Sequence, residues 1–296
     1  MKYLITLTSL FTFLILSTHN KTPGKASILG EGIISTGNNL SQAISPDGDE
    51  IYFARMSEEG IWDIYYSKWE KGSWAEPKIA SFSSSYTDAD PYFTADGNKL
   101  FFLSSRPVEK GGEPRQMPDI WVVEKTQDGW GEPVNLEAIN TEEFGETFMS
   151  LTNDGDIVFA SNRGTNKEHS IFRATYNGTG YDDPQPFPAN VKVEGFANPL
   201  IARDGSYLIF ESDHYEGYGS DDLYIIFKDD ESWTEPVNLG PEVNTEWVEG
   251  GPFVTDDGRH LMFARLDSSV DELKSDIYQI AFQPLLHKAK AKAGLD

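Results

Sequence analysis

Apolar residues recur along the chain in a fixed phrase: a short strand pattern, an Asp-Gly pair, and a second strand pattern that is apolar throughout. In its second copy the phrase runs from Asp90 to Ser105, DPYFTADGNKLFFLSS. An Asp-Gly pair between two strand patterns predicts a tight turn and therefore an antiparallel β-hairpin. The glycines of the five copies, 49 to 58 residues apart, are Gly48, Gly97, Gly155, Gly205 and Gly258. Repeats of that length are typical of β-propeller blades.

The second strands read IYFA, LFFL, IVFA, LIFE and LMFA, without the alternation of a sheet that has one face in water. Both faces of these strands are therefore predicted to be covered. Two further strand patterns follow each hairpin, and the fourth comes after phrases such as SWAEP, GWGEP and SWTEP. We expect an all-β fold, a five-bladed β-propeller of four-stranded antiparallel blades.

The two ends of the chain are predicted to share the last blade. The fifth repeat stops after DIYQIAF and lacks the aromatic phrase that precedes the other fourth strands. Near the N-terminus, Leu29 precedes Gly48 by nineteen residues, just as Leu239 precedes Gly258. Residues 26–35 are therefore expected to supply the missing outer strand. Such a closed ring has no exposed sheet edge between its first and last blades.

The segments outside the repeats are short. Residues 1–17, MKYLITLTSLFTFLILS, place a lysine before an apolar run that is too short for a comfortable membrane span and is typical of a secretory signal peptide. A polar linker at 18–25 leads into the propeller at 26–283, and the basic residues 284–296 are expected to form a frayed tail. We expect an exported protein, periplasmic or secreted, without a stable membrane span once the signal is removed.

Charge and composition exclude several classes of function. The chain has 24 Lys and Arg against 48 Asp and Glu, a formal charge of -24, so its surface repels nucleic acids and anionic lipids. It has no cysteine, which rules out disulfides and thiol catalysis. The histidines lack the spacing of zinc ligands, and no hydrolase elbow, phosphate loop or dinucleotide motif occurs. No metal or cofactor is expected, and calcium stays an open alternative that no calcium-loop motif supports.

The phrases SPDGDEIYFAR, DPYFTADGNKLFFLSSRP and NLGPEVNTEWVEGGPFVTDDGRHLMFAR resemble the TolB-type propeller repeat, the Pro-Asp relative of the Trp-Asp repeat. The Trp-x-Glu-Pro phrases are also similar to repeats of bacterial envelope proteins that often carry a peptidoglycan-binding module. This chain has no such module appended, and it has five repeats where six is the commoner number. The resemblance implies an exported, WD-repeat-like propeller used for protein or glycan contacts, without a shared catalytic residue.

Residues at the starts of the first strands are candidates for the site, because the first strands of a propeller line an axial channel. Nine residues before the Asp-Gly glycines stand Asn39, Asp88, Glu146, Phe196 and Glu249. Seven residues before them stand Ser41, Asp90, Phe148, Asn198 and Gly251. Converging carboxylates bind a cation or sugar hydroxyls, or serve as the acid and base of a glycosidase. The catalytic candidates are Asp88, Asp90, Glu146 and Glu249. Alternatively, these groups cap turns and face water.

A basic side chain follows each second strand, at Arg55, Arg106, Arg163, His214 and Arg265. These side chains either clamp an anionic ligand or pair with the aspartates that begin the third strands. Loop aromatics such as Trp247 and Tyr218 are candidates for stacking on sugars, and the loop 106–118 is a candidate binding loop. The predicted ligand-binding residues are Asp88, Asp90, Glu146, Asn198, Glu249, Arg106, Arg163, His214 and Trp247.

The leading functional interpretation is a non-catalytic module of the cell envelope that binds a protein or a polysaccharide, because the repeats have no catalytic signature. The alternative is a carbohydrate-active hydrolase or lyase that uses carboxylates of the axial channel. A pair of carboxylates facing each other in a pocket would favour the enzyme.

Overall fold

The Asp-Gly hairpins form the inner strands of antiparallel sheets in the computed structural model. The structure describes residues 24–164, 169–187, 198–230, 232–267, 269 and 274–295. These residues form five sheets arranged as the blades of a ring, which confirms the predicted five-bladed propeller. The predicted signal peptide and nearly all of the predicted linker lie outside the described residues.

Strands follow in chain order from the channel to the outer edge of each blade, except that β1 (Ser27–Ile28) belongs to the fifth blade. The first blade contains β2 (Asn39–Ile44), β3 (Glu50–Met56), β4 (Trp62–Glu70), β5 (Ser73–Trp74) and β6 (Lys78–Ile79). The second blade contains β7 (Asp88–Phe93), β8 (Lys99–Ser104), β9 (Asp119–Thr126), β10 (Gly129–Trp130) and β11 (Val134–Asn135).

The remaining blades repeat this order. The third contains β12 (Glu146–Leu151), β13 (Ile157–Ser161), β14 (Ser170–Ala174) and β15 (Gln185–Pro186). The fourth contains β16 (Leu200–Ile201), β17 (Tyr207–Ser212), β18 (Asp222–Asp229), β19 (Ser232–Trp233) and β20 (Val237–Asn238). The fifth contains β21 (Val248–Val254), β22 (His260–Leu266), β23 (Ser275–Ala281) and β1, and a helix, α1 (Phe282–Ala293), follows it.

The second strands form the core between blades. A phenylalanine occupies the same position in each of them and is fully buried, at Phe53, Phe102, Phe159, Phe210 and Phe263. Residues on the other face are buried as well, as Phe101 and Leu103 are in β8. A strand that is buried on both faces needs an apolar side chain at nearly every position. Packing of blades against blades therefore explains why these strands lack alternation.

The outer edge differs from the prediction of one continuous fourth strand. In the first, second and fourth blades two short strands pair with the third strand instead, as β10 and β11 do with β9. Pro133 lies between those two strands, and because proline has no N–H to donate, the ladder is interrupted there. The aromatic residue of the phrase turns inward, and Trp130 Nε1 donates to the Tyr52 hydroxyl at 2.9 Å. This hydrogen bond joins the second blade to the first.

The two ends of the chain meet in the fifth blade, as predicted. In β1, Ser27 and Ile28 pair with Gln279 and Tyr278 of β23. The ladder is shorter than the predicted segment 26–35, because the chain turns away from the sheet after Leu29. Beyond the turn, the buried Ser35 hydroxyl donates to the Leu29 carbonyl at 2.8 Å. The ring is therefore closed by a short outer strand, and the Ser35 hydrogen bond stabilises the turn that follows it.

The expectation of a frayed C-terminal tail is wrong, because α1 occupies that segment. Phe282, Leu285 and Ala289 share one face of this helix and are buried against the propeller. Their spacing of three and four residues is that of an amphipathic helix. The basic composition of the segment obscures this pattern in the sequence. Lys288 Nζ pairs with Glu242 at 2.8 Å, and Gly294 ends the helix in a left-handed conformation. Within the described residues, α1 is neither long nor apolar enough to cross a membrane.

Candidate functional site

The propeller has two unlike faces. On the face that we call the mouth face, the loops between second and third strands lie against the segments that lead into the next first strand. Glu146 N donates to the Pro118 carbonyl at 3.1 Å, and Glu249 N donates to the Asp221 carbonyl at 2.9 Å. The opposite, closed face carries the Asp-Gly turns and α1, where Phe282 N donates to the Arg259 carbonyl. The residues that open the first strands therefore belong to the mouth face.

Three of the predicted catalytic carboxylates are buried in ion pairs between elements of the mouth face. Each pairs with the arginine at the end of the second strand of its own blade, or just after it, and we call each such pair a latch. The latches are Asp88 with Arg106 at 2.9 Å, Glu146 with Arg163 at 2.6 Å and Glu249 with Arg265 at 2.7 Å. All three carboxylate side chains are 0% exposed. They do not line the axial channel.

Each latch carboxylate also caps the turn before its strand. Ser84 N donates to Asp88 at 2.6 Å, and Thr245 N donates to Glu249 at 2.8 Å. The capping alternative of the sequence analysis therefore describes their geometry, except that they face the interior rather than water. Burial raises the pKa of Glu146 to about 7, although the Arg163 guanidinium opposes that rise.

The arginines of the latches also bind backbone carbonyls and aromatic rings. Arg106 Nη2 donates to the Phe82 carbonyl at 3.0 Å, and the guanidinium lies 5.0 Å from the centre of the Phe102 ring. The expected pairing with third-strand aspartates is wrong, because Asp119 pairs with Arg115 at 3.1 Å instead. A fully buried carboxylate that is engaged by an arginine and by a turn N–H offers no free group to a ligand. The latches are therefore part of the framework.

The first and fourth blades depart from the latch pattern. In the first, Asn39 replaces the carboxylate and accepts from Thr36 N at 2.7 Å, while Arg55 Nη2 donates to the Ile33 carbonyl at 2.8 Å. In the fourth, His214 is exposed and its ring lies against Tyr215. The expected partner position, Phe196, lies outside the described residues.

The residues seven positions before the Asp-Gly glycines do reach the axis. Their backbones all have positive φ, at Ser41 (52°), Asp90 (50°), Phe148 (44°), Asn198 (38°) and Gly251 (57°). The pairing of the first and second strands shifts register at this point in four of the blades. A bulge of this kind turns one residue out of the ladder. A non-glycine residue at this position adopts a strained backbone conformation with positive φ. All five residues line a channel of about 370 Å³, open solvent included.

Asp90 is the predicted catalytic candidate that lines this channel. Its carboxylate accepts hydrogen bonds from the Ser41 side chain and the Phe148 backbone, and its Oδ1 has no partner. Only 8% of the residue is exposed. Burial raises the pKa of Asp90 to about 6, because no basic side chain lines the described part of the channel to stabilise the charge.

A second carboxylate, Glu211, lies behind the channel wall and was not predicted. It accepts hydrogen bonds from Asn198 Nδ2 and from the backbone of Gly251. A Cβ at the neighbouring Gly250 would overlap the Glu211 carboxylate, so glycine is needed there. Burial raises the pKa of Glu211 to about 8, and the negative charges of Asp221 and Asp90 add to the rise.

A signal for Glu211 was present in the sequence. It interrupts the apolar second strand LIFES at a position where the other blades have Ala54, Leu103, Ala160 and Ala264. A lone acid in a strand that is otherwise apolar stands out from the repeat.

Two amide side chains turn their oxygens toward the channel because their nitrogens are engaged elsewhere. Gln42 Nε2 donates to the Gly251 carbonyl at 3.0 Å, and Asn198 Nδ2 donates to Glu211. The oxygens of both amides have no hydrogen-bond partner and are buried. In the part of the chain that the structure describes, no three His, Cys, Asp or Glu side chains converge as metal ligands. The channel wall instead combines carboxylate, amide and hydroxyl groups with apolar residues such as Met149, Leu200 and Phe253.

Arg203 closes the channel at the other end. Its Nη2 donates to the Phe93 carbonyl at 2.8 Å and its Nη1 to the Leu151 carbonyl at 3.3 Å, and its Nε pairs with Asp256 at 3.1 Å. The guanidinium also lies 4.8 Å from the centre of the Tyr92 ring. One side chain of the fourth blade thus binds the second, third and fifth blades and closes this end of the described channel.

Exposed apolar side chains stand in the loops of the mouth face. Val108 is 45% exposed and Met117 36% in the loop 106–118, and Tyr218 is 52% exposed in the corresponding loop of the fourth blade. Trp247 is half-buried beside that second loop. In contrast, Trp69 packs edge-to-face on Trp74 at the outer edge of the first blade.

Comparison with known proteins agrees with the fold. No protein-family profile and no curated protein matches the chain. A structure assigned as TolB from Agrobacterium tumefaciens is 13% identical with a TM-score of 0.52, covering 83% of this chain and 77% of that one. TolB from Acinetobacter baumannii is 14% identical with a TM-score of 0.50, covering 82% of this chain and 54% of that one.

A propeller enzyme is equally similar. The catalytic domain of the GH62 α-L-arabinofuranosidase from Coprinopsis cinerea is 11% identical with a TM-score of 0.51, covering 87% of this chain and 95% of that one. At such identities the likeness shows the fold alone, a propeller shared by TolB proteins and by hydrolases.

Proposed function

We propose that the protein is an exported, non-catalytic module of the cell envelope that binds a protein or glycan partner on its mouth face. The observation that supports the proposal is the position and pairing of the predicted catalytic carboxylates. Asp88, Glu146 and Glu249 are held in latches, and Asp90 is left without a second predicted acid in the channel. A glycosidase needs two carboxylates that both reach the substrate.

The mouth face has the character of a binding surface. Val108, Met117 and Tyr218 expose apolar area on two loops, and acidic residues such as Glu109 and Glu216 surround them. Methionine and aromatic side chains are enriched in the centres of protein interfaces, and an aromatic face also stacks on sugar rings. The net charge of -24 favours a partner with a basic or neutral surface.

Site-directed photo-crosslinking tests this proposal in cells that produce the full chain. The crosslinking residue is placed at Met117 or Tyr218 on the mouth face and, as matched controls, at Asn98 or Lys71, exposed residues of turns on the opposite side. Discrete crosslinked species, or retention on envelope polysaccharide, are expected only from the mouth-face positions. Equal crosslinking from both faces, or purely cytoplasmic fractionation, would contradict the proposal.

The enzyme alternative has one observation in its favour, the raised pKa of Asp90 in the channel. Incubation of the purified protein with a panel of polysaccharides decides it. Release of reducing ends that is abolished by Asp90→Asn, but kept by Asp96→Asn in the exposed turn of the same blade, would replace the binding module by a hydrolase.

A further inference from the structure

Three side-chain oxygens of residues that line the axial channel are acceptors without a donor. Asp90 Oδ1, Asn198 Oδ1 and Gln42 Oε1 are buried and have no hydrogen-bond partner. The residues that carry them are 8%, 7% and 3% exposed. A buried acceptor without a hydrogen-bond partner destabilises the folded protein, so three of them around one channel call for a compensating positive group.

The orientation of the two amides is built into the wall. The Gln42 amide nitrogen is held by the Gly251 carbonyl, and the Asn198 amide nitrogen is held by Glu211. Each amide therefore presents its oxygen, rather than its nitrogen, to the channel. Glu211 acts here as a positioning residue, because it fixes Asn198 without lining the channel itself.

We propose that this cluster binds a single hard cation of the calcium class. Asp90 supplies a carboxylate oxygen and Asn198 and Gln42 supply amide oxygens, which are the donor types that Ca²⁺ takes in proteins. No histidine, cysteine or basic side chain stands among the described residues of the channel lining. Arg203 closes the far end of the channel, so the ion enters from the mouth face.

Calcium suits the cluster better than magnesium does. Mg²⁺ demands near-ideal octahedral geometry and loses its water reluctantly, whereas Ca²⁺ accepts six to eight oxygens in flexible arrangements. Three protein oxygens from three different blades give an irregular set that water completes. The proposal does not depend on the partner of the mouth face, and it stands or falls separately from the proposed function.

Isothermal titration of the full, chelator-treated protein with CaCl₂ and, in parallel, with MgCl₂ and KCl tests the site. We expect one saturable Ca²⁺ site, at least about tenfold weaker binding of Mg²⁺, and a rise in melting temperature with Ca²⁺. Asp90→Asn keeps the shape of the side chain and is expected to weaken Ca²⁺ binding at least about tenfold. The matched control Asp96→Asn removes an exposed carboxylate from the same blade and is expected to leave binding unchanged.

Glu211→Gln separates a positioning role from a structural one. It is expected to weaken Ca²⁺ binding about 10–100-fold, as losses of outer-shell partners do, while the melting temperature in chelator stays the same or rises. The absence of saturable binding by folded protein would overturn the proposal. So would multi-site binding that survives Asp90→Asn, which marks diffuse attraction to an acidic surface, or a preference for K⁺ over Ca²⁺.

Discussion

The latch carboxylates and the channel carboxylates are similarly buried, but only the latches hold a cationic side chain. Asp88 accepts from Arg106 and from a turn N–H, while Asp90, two residues along in β7, faces a channel whose described lining contains no basic side chain. Glu211 likewise has amide and backbone donors but no arginine. The latch recurs in three blades, whereas Asp90 and Glu211 each occur once. In this propeller, the charged residues that recur at the same position in several blades belong to the framework. The charged residues that occur in one blade alone mark the candidate site.

The largest effect is expected from breaking a latch. Arg106→Ala leaves Asp88 buried without its counter-charge, and we expect the free energy of unfolding to fall by about 3–5 kcal/mol. Urea unfolding followed by tryptophan fluorescence measures the change. Arg259→Ala is the control, because Arg259 pairs with Asp257 at the surface with 61% of its side chain exposed, and its loss should cost less than about 1 kcal/mol. Equal losses in both variants would mean that the latch is no stronger than a surface pair.

A smaller loss is expected at the closed end of the channel. Arg203→Ala leaves the carbonyls of Phe93 and Leu151 without their donor, and we expect a loss of about 2–3 kcal/mol in urea unfolding. Arg203→Lys keeps the charge but lacks the planar fork that reaches two blades, so its loss should be intermediate. If lysine substitutes fully, charge alone is what matters at this position.

The pH dependence of stability tests Glu211, a carboxylate that is buried without an arginine partner. Because the pKa of Glu211 is raised to about 8 in the folded protein, the folded state keeps a proton that the unfolded state loses near pH 4.5. Its stabilising contribution is complete below that pH and is lost as the pH rises through about 8. In the presence of chelator, Glu211→Gln should remove a slope of up to about 1.4 kcal/mol per pH unit between pH 5 and 8. Parallel pH profiles for the variant and the parent would contradict this.

The smallest effect on folding is expected at Asp90. In chelator, Asp90→Asn removes a buried carboxylate that has no ion-pair partner, so stability at pH 8 should change by less than about 1 kcal/mol or increase. The matched Asp88→Asn variant breaks a latch and should lose several times more. A comparable loss in both variants would show that Asp90 also belongs to the framework.

Sequence reasoning reached the fold because its strongest signals are local and repeated. The Asp-Gly turns and the doubly apolar second strands fixed the blades, and the nineteen-residue spacing of Leu29 from Gly48 identified the strand that closes the ring. The partners of the charged residues were not predictable in the same way. The sequence places Arg106 just after the second strand and Asp119 at the start of the third, which suggests an ion pair between them. In the structure, Arg106 instead binds the Asp88 carboxylate at the start of β7 and the Phe82 carbonyl in the turn before it. Which candidate residues reach the axis depends on a bulge in the first strands, and no residue type in the sequence predicts that bulge.

The closure of the ring has a consequence for the order in which the protein folds. A ribosome makes β1 first and its partner β23 almost last, and the Ser35 and Ile277 groups that join them are 242 residues apart. Until β23 has been made, β1 has no partner strand and is open to pairing with another chain. Contacts between such distant residues also slow folding. The first strand of the nascent chain therefore stays unpaired until the last blade is made, whereas the other blades pair their own strands as they are made.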